Sequence, residues 1–139
     1  MRFKVAIVSL TVLQALILVA AQGKTTLDGV YSEAQATRGE KVYAASCASC
    51  HGDDLSGGGQ TPPLSGKEFN SDWNDLSIGD LYDRTHLSMP ADKPGSLSAE
   101  QTVDVIAYLL KKGTFPAGQS DLPTDTAALK AIKFVSQKP

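Results

Sequence analysis

The sequence predicts an all-α fold, on three observations. Two serine-led capping patterns precede amphipathic runs, the longest apolar stripe recurs at helical spacing, and no stretch alternates as a strand would. The chain has 139 residues, 42% hydrophobic and 20% charged, which is ordinary material for one globular domain. Its net charge of −2 supplies no basic field and argues against nucleic acid as a partner. Two cysteines cannot build a disulfide scaffold, and no apolar run after residue 21 is long enough to span a bilayer. Aromatic residues make up only 6%, so something other than side chains is expected to help fill the core.

In chain order, Arg2 and Lys4 precede an apolar run from Val5 to Ala21, which ends in the small residues Ala20 and Ala21. That is the order of a secretory signal peptide over residues 1–21, with an uncleaved membrane anchor as the alternative. Its removal leaves 11 basic and 15 acidic groups, a mature net charge of −4 on an exported, periplasmic protein. Residues 22–35 form an N-terminal extension. Within it Ser32-Glu33-Ala34-Gln35 reads as a capping box that starts a helix running towards Cys50. Gly52 to Gly59 reads as a flexible turn, since it is neither a G-x-G-x-x-G phosphate loop nor a calcium loop. Ser77 to about Thr85 is a shorter, acidic helix with Ile78, Leu81 and Tyr82 as its apolar positions. Ser98-Ala99-Glu100-Gln101 is a second capping box, and Val103, Ile106, Leu109 and Leu110 form the core stripe of the helix behind it. Lys111 and Lys112 suit the negative end of that helix, and Gly113 reads as the residue just past it. Residues 114–139 read as a strap packing back on the domain, with a helical turn over Leu129 and Ile132.

The chemistry lies in Cys47-Ala48-Ser49-Cys50-His51. On a helix, positions i, i+3 and i+4 share one face. Both thiols therefore reach the vinyl groups of one haem, and the imidazole turns to its iron. A redox C-x-x-C would want a βαβ context, and a zinc site would need four ligands from Cys47, Cys50, His51 and His86 alone. A plain disulfide leaves the histidine unexplained. One covalent haem c, attached through Cys47 and Cys50 with His51 as iron ligand, is the expectation. On the other side of the iron, Met89 is the only methionine left in the mature chain, and Pro90 after it cannot continue a helix. Methionine with histidine is the ligand pair of electron-transfer cytochromes. The rival ligand is His86, an open site is a third case, and core filling is the bland reading of a lone methionine.

The order of C-x-x-C-H, Pro-rich loop, short helix, Met-Pro and amphipathic last helix resembles the class I c-type cytochromes, in particular the small bacterial mono-haem members. The likeness covers roughly residues 36–113. It implies a cytochrome c-like fold in which N- and C-terminal helices cross around the haem, with Gly39 and Tyr43 against Val105 and Tyr108. It also implies that the Pro62 carbonyl accepts the His51 Nδ1–H bond, which fixes the ligand's tautomer, and that Leu64 packs against the ring. Only 38 positions separate His51 from Met89, fewer than in the mitochondrial pattern, which exposes the haem edge and one propionate. Trp73 and Arg84 are candidate donors to the propionates. The alternatives are a core role for Trp73 and an i+4 ion pair between Arg84 and Asp80.

The function so implied is a one-electron carrier with no catalytic residues, not an enzyme. Its partners are redox proteins: a quinoprotein or other periplasmic dehydrogenase as donor and a terminal oxidase as acceptor. The membrane enters only if the N-terminal segment stays uncleaved. Between Gly52 and Asp92, eight acidic and two basic residues give a local balance of −6, suited to steering a partner with a basic docking patch. Two other readings stay open. One is a haem subunit of a periplasmic dehydrogenase complex. The other is a gas- or peroxide-responsive haem protein, if Met89 leaves the iron and His86 serves as distal donor.

Overall fold

A computed structural model describes residues 23–136, so the signal-peptide segment lies outside the described residues. The described part is helical, as expected: α1 (Glu33–Ser46), α2 (Ala48–His51), α3 (Gly66–Trp73), α4 (Ile78–Ser88), α5 (Ala99–Lys112) and α6 (Thr126–Lys130). No described helix is long and apolar enough to cross a membrane.

The centre of the fold is the crossing of α1 over α5. A Cβ at Gly39 would sit 1.8 Å from the Asp104 carbonyl oxygen and 3.0 Å from the Tyr108 Cβ, so only a glycine lets the two backbones meet. The nearest partners of Gly39 are Asp104 and Tyr108, and Val105, next to Asp104 on α5, is buried in the core. One turn on, the Tyr43 and Tyr108 rings pack with centroids 5.2 Å apart. Arg38 forks onto the buried Asp104 with two bonds of 3.0 Å and reaches Asp121 at 2.7 Å. The α5 stripe of Val103, Ile106, Leu109 and Leu110 is buried as its spacing predicts.

Several local expectations change. Ser32 caps α1 by accepting from the Gln35 N–H at 3.0 Å, but the Gln35 side chain does not return to Ser32. It is 1% exposed and takes both polar groups of Leu122, donating to the carbonyl at 3.2 Å and accepting from the N–H at 2.7 Å. A buried amide satisfied by a distant main chain has no reason to close a local box. The first helix also stops before Cys50: Cys47, at φ −126° and ψ −37°, separates α1 from α2. Helix α4 runs on to Ser88, and α3 occupies a stretch that shows too short an apolar pattern to declare itself. At the end of α5, Gly113 is the residue just past the helix, as expected, and the left-handed residue is the next one, Thr114, at φ 63°. Phe115 N–H then bonds to the Leu110 carbonyl and Thr114 N–H to that of Lys111, both at 3.0 Å, which closes the helix end. The second capping box is complete, with Ser98 and Gln101 each accepting from the other's N–H.

Residues after α5 return across the molecule. Phe115, Leu122, Leu129, Ile132 and Phe134 are all buried in the main core. The last of these form an extended layer: Lys133 bonds to Lys24 and Thr26 on one side, while Phe134 bonds to Leu76 and Asp75 on the other.

Candidate haem site

The break at Cys47 creates a single turn that carries the C-x-x-C-H residues. Cys47 N–H still bonds to the Tyr43 carbonyl at 2.8 Å, while its own carbonyl accepts from Cys50 at 3.1 Å and His51 at 2.9 Å. The two thiols are free, Cys47 half-buried and Cys50 exposed. Burial pushes the Cys47 thiol up to about 11, so it stays protonated at neutral pH.

His51 is buried, and its Nδ1 lies 3.0 Å from the Pro62 carbonyl oxygen. A carbonyl only accepts, so Nδ1 carries the proton and Nε2 keeps its lone pair for a metal. Pro62 reaches this position because of Gly57, at φ 67°, where a Cβ would lie 2.3 Å from the Thr61 carbonyl and 2.8 Å from that of Pro62. Gly57 N–H in turn bonds to the His51 carbonyl at 2.9 Å. The loop is closed by Tyr43, whose hydroxyl donates to the Gly52 carbonyl at 2.6 Å. Burial pushes that phenol up to about 12, which keeps it a donor. Leu64, partly buried against the core, bonds through its N–H to Leu55 at 2.9 Å.

Met89 is the C-cap of α4, half-buried, with its N–H on the Thr85 carbonyl at 3.0 Å; the peptide to Pro90 is cis. Its rival His86 is turned onto α5. The ring stacks on Tyr82 with centroids 5.2 Å apart, and Nδ1 lies 3.2 Å from Thr102 Oγ1. Thr102 spends its only hydroxyl proton on the Ser98 carbonyl at 2.8 Å, so His86 is the donor to Thr102.

The structure thus gathers Cys47, Cys50, His51, Pro62 and Leu64 around α2. Trp73 ends α3, half-buried, with its ring 6.2 Å from that of Phe69. Arg84 is exposed on α4 and forms no ion pair among the described residues. The i+4 alternative for Arg84 fails because Asp80 is taken by Lys130 at 2.7 Å and by Ser77. Gly57 and the Tyr43 hydroxyl are the supporting groups that sequence reasoning missed. The glycine run was visible, but only the fold shows which glycine admits the Pro62 main chain.

These residues fit haem c by their donor chemistry. Two thiols three positions apart precede an imidazole whose tautomer is already set, and a thioether stands at the end of a separate helix. Among the described residues, no group of three or more His, Cys, Asp or Glu side chains is placed to hold a bare metal ion.

Comparison with known proteins bears on the same region. Residues 34–109 match the family model described as Cytochrome C oxidase, cbb3-type, subunit III. The chain is similar to a thiosulfate dehydrogenase of Stutzerimonas stutzeri (strain A1501), 41% identical over 78 residues. That match takes in 52% of this chain and only 25% of that protein, so the chain spans about a quarter of this relative. Among solved structures, the sulfane dehydrogenase SoxCD from Paracoccus pantotrophus aligns at 25% identity over 73% of this chain and 55% of that chain, with a TM-score of 0.47.

Proposed function

Because the chain belongs to the family described as cytochrome c oxidase, cbb3-type, subunit III, and so to the c-type cytochromes, we propose that it is a periplasmic one-electron carrier rather than an enzyme. The observation that carries this reading is the His51 Nδ1 to Pro62 bond of 3.0 Å, made one and four residues from two free thiols. It prepares an imidazole for permanent ligation, with Nε2 free and Nδ1 engaged. Cys47 and Cys50 would hold one haem c covalently, and His51 and Met89 would be its iron ligands. Leu64, Trp73 and Arg84 are assigned to the ring and its propionates. Haem c, when bound, supplies a one-electron ferric–ferrous couple that a thioether ligand biases towards the ferrous state.

The chain's own residues do the rest. Pro62 holds the Nδ1 proton in place, so no proton moves at the imidazole. His86 commits its Nδ1–H to Thr102 and a ring face to Tyr82, which leaves Nε2 with a free lone pair and keeps His86 as the rival to Met89. The same commitment removes the distal donor that a gas- or peroxide-responsive site would want. The acidic segment from Gly52 to Asp92 steers partners with basic docking patches, a periplasmic dehydrogenase as donor and a terminal oxidase as acceptor. The likeness to a thiosulfate dehydrogenase points to sulfur compounds as the source of electrons. It also favours a second reading, in which the chain is the haem subunit of such a dehydrogenase.

Optical spectra of the exported protein, ferric and ferrous, with and without carbon monoxide, test the reading. Expected are a weak far-red ferric band from methionine sulfur and a ferrous spectrum that carbon monoxide leaves unchanged. A bis-histidine spectrum moves the ligand to His86, a ready carbon monoxide shift makes the site labile, and a protein without haem ends the proposal.

A further inference from the structure

The strap does more than cover the core: it grips the helix that ends in Met89. Ile78 N–H bonds to the Ile132 carbonyl at 2.8 Å, and Phe134 N–H bonds to the Leu76 carbonyl at 2.7 Å, so main chain meets main chain at the entry to α4. Gly79 makes room for this approach. A Cβ there would lie 2.6 Å from Lys130 Cδ and 2.8 Å from the Lys130 backbone nitrogen. The Lys130 ammonium then bridges Asp80 and Asp83, at 2.7 Å each, on the outer face of α4. Asp80 is also the capping-box partner of Ser77, so one carboxylate both starts the helix and receives the strap. The inner face is held by α5, through Tyr82, His86 and Thr102.

We propose that Lys130, lying over Gly79, is a positioning residue for Met89: the strap presses α4 inward and so holds the thioether at the haem. The proposal rests on the reading of Met89 as iron ligand. Leverage is its physical basis. An 11-residue helix is about 16 Å long, so a tilt of about 5° at the gripped end moves the far end by roughly 1.4 Å. A shift of that size would have to be taken up by the Met89 side chain, which would weaken its hold on the iron. No other described ion pair holds the outer face of α4, since Arg84 forms none.

The test uses the full-length haem-loaded protein and three variants. Gly79→Ala lifts the strap by steric contact with its backbone. Lys130→Met keeps the aliphatic stem but loses both ion pairs, and Lys130→Arg restores the charge. The readouts are the thermal midpoint of the far-red methionine band, the fraction of ferrous protein that takes up carbon monoxide, and global unfolding by circular dichroism. Expected is a rise in the carbon monoxide-reactive fraction of roughly tenfold or more for Gly79→Ala and about threefold for Lys130→Met. The arginine variant returns to the wild-type value, and the methionine band is lost well below global unfolding in the first two. Should Gly79→Ala not fold, Lys130→Met carries the comparison alone. Bands and carbon monoxide uptake that stay at wild-type values, or that change only in step with unfolding, overturn the positioning role. A wild-type protein without the methionine band overturns the Met89 ligand itself, and the clamp with it.

Discussion

The two sides of the candidate haem site are held by different physics. The His51 side hangs from the α1–α5 crossing, where Gly39 lets two backbones touch and the Tyr43 and Tyr108 rings fill the next turn. That region is stabilised mainly by buried, close-packed atoms, with the Arg38–Asp104 pair and its reach to Asp121 as its charged part. The Met89 side hangs from α4, gripped by a strap through main-chain bonds and two exposed ion pairs. The family match ends at residue 109, so the strap lies beyond the matched residues. The two ligand positions therefore need not share one stability. The imidazole side follows the core, while the thioether side follows an attachment that small changes can loosen.

The largest expected effect comes from breaking the first region. Gly39→Val places a branched side chain where even one carbon would lie 1.8 Å from the Asp104 carbonyl. The helices must part, and we expect a loss of about 3 kcal/mol or more in urea unfolding, with both axial sides failing together. A variant that keeps near-wild-type stability would falsify the crossing as the anchor of the imidazole side.

Next in size is Gln35→Leu, which separates the strap from α1 without touching α4. It leaves the buried N–H and carbonyl of Leu122 without partners, at a cost of about 2–3 kcal/mol. The measurement is again the urea midpoint, set beside that of Gln35→Glu, which restores one acceptor. Equal midpoints for wild type and Gln35→Leu would mean that Leu122 finds water or another partner.

Gln35 also shows what the sequence could and could not make legible. The C-x-x-C-H turn, the Ser98–Gln101 box and the α5 stripe are local patterns, readable because each is decided by residues a few positions apart. Gln35 stands three residues after a serine and reads as a box partner, yet its bonds go to Leu122, 87 positions away. Lys130 and Asp80 are 50 positions apart, and no spacing rule joins them. Helix α3 offers one short apolar pair, Phe69 and Trp73, in an otherwise polar stretch, so its helicity comes from packing on Phe134 and the core. Pro62 entered only through family likeness, and Gly57, which makes its bond feasible, needed coordinates.

A smaller change sharpens the contrast from within the first region. Tyr43→Phe keeps the ring against Tyr108 and removes only the 2.6 Å bond to the Gly52 carbonyl. We expect about 1 kcal/mol less stability and an unchanged far-red methionine band, because α4 is not involved. A lost band in this variant would show that the two sides are coupled through the loop after His51.

Acid gives the gentlest test of the second region. The Lys130 ammonium, with the Ser77 hydroxyl and N–H, holds the Asp80 carboxyl down at about 2, against 3.8 for an ordinary aspartate. A group whose folded value is depressed stabilises the fold fully above its unfolded value and loses that contribution as the pH falls through the folded one. The grip on α4 is therefore intact above pH 4 and weakens between about pH 4 and pH 2. The pair is exposed, so the change is screened and small. In an acid titration of the ferric far-red band, the wild type should lose a small part of its methionine ligation over that window. Asp80→Asn should start from a weaker band and lack this component of the pH dependence. The α1–α5 side has its own carboxylates, Asp104 and Asp121 on Arg38, and bonds from Ser32 and Arg38 hold Asp121 below its ordinary value. It therefore weakens in acid too, but its acid response should be the same in wild type and Asp80→Asn. If both sides loosen with the same acid midpoint in wild type and Asp80→Asn alike, the strap is not what sets the thioether side apart.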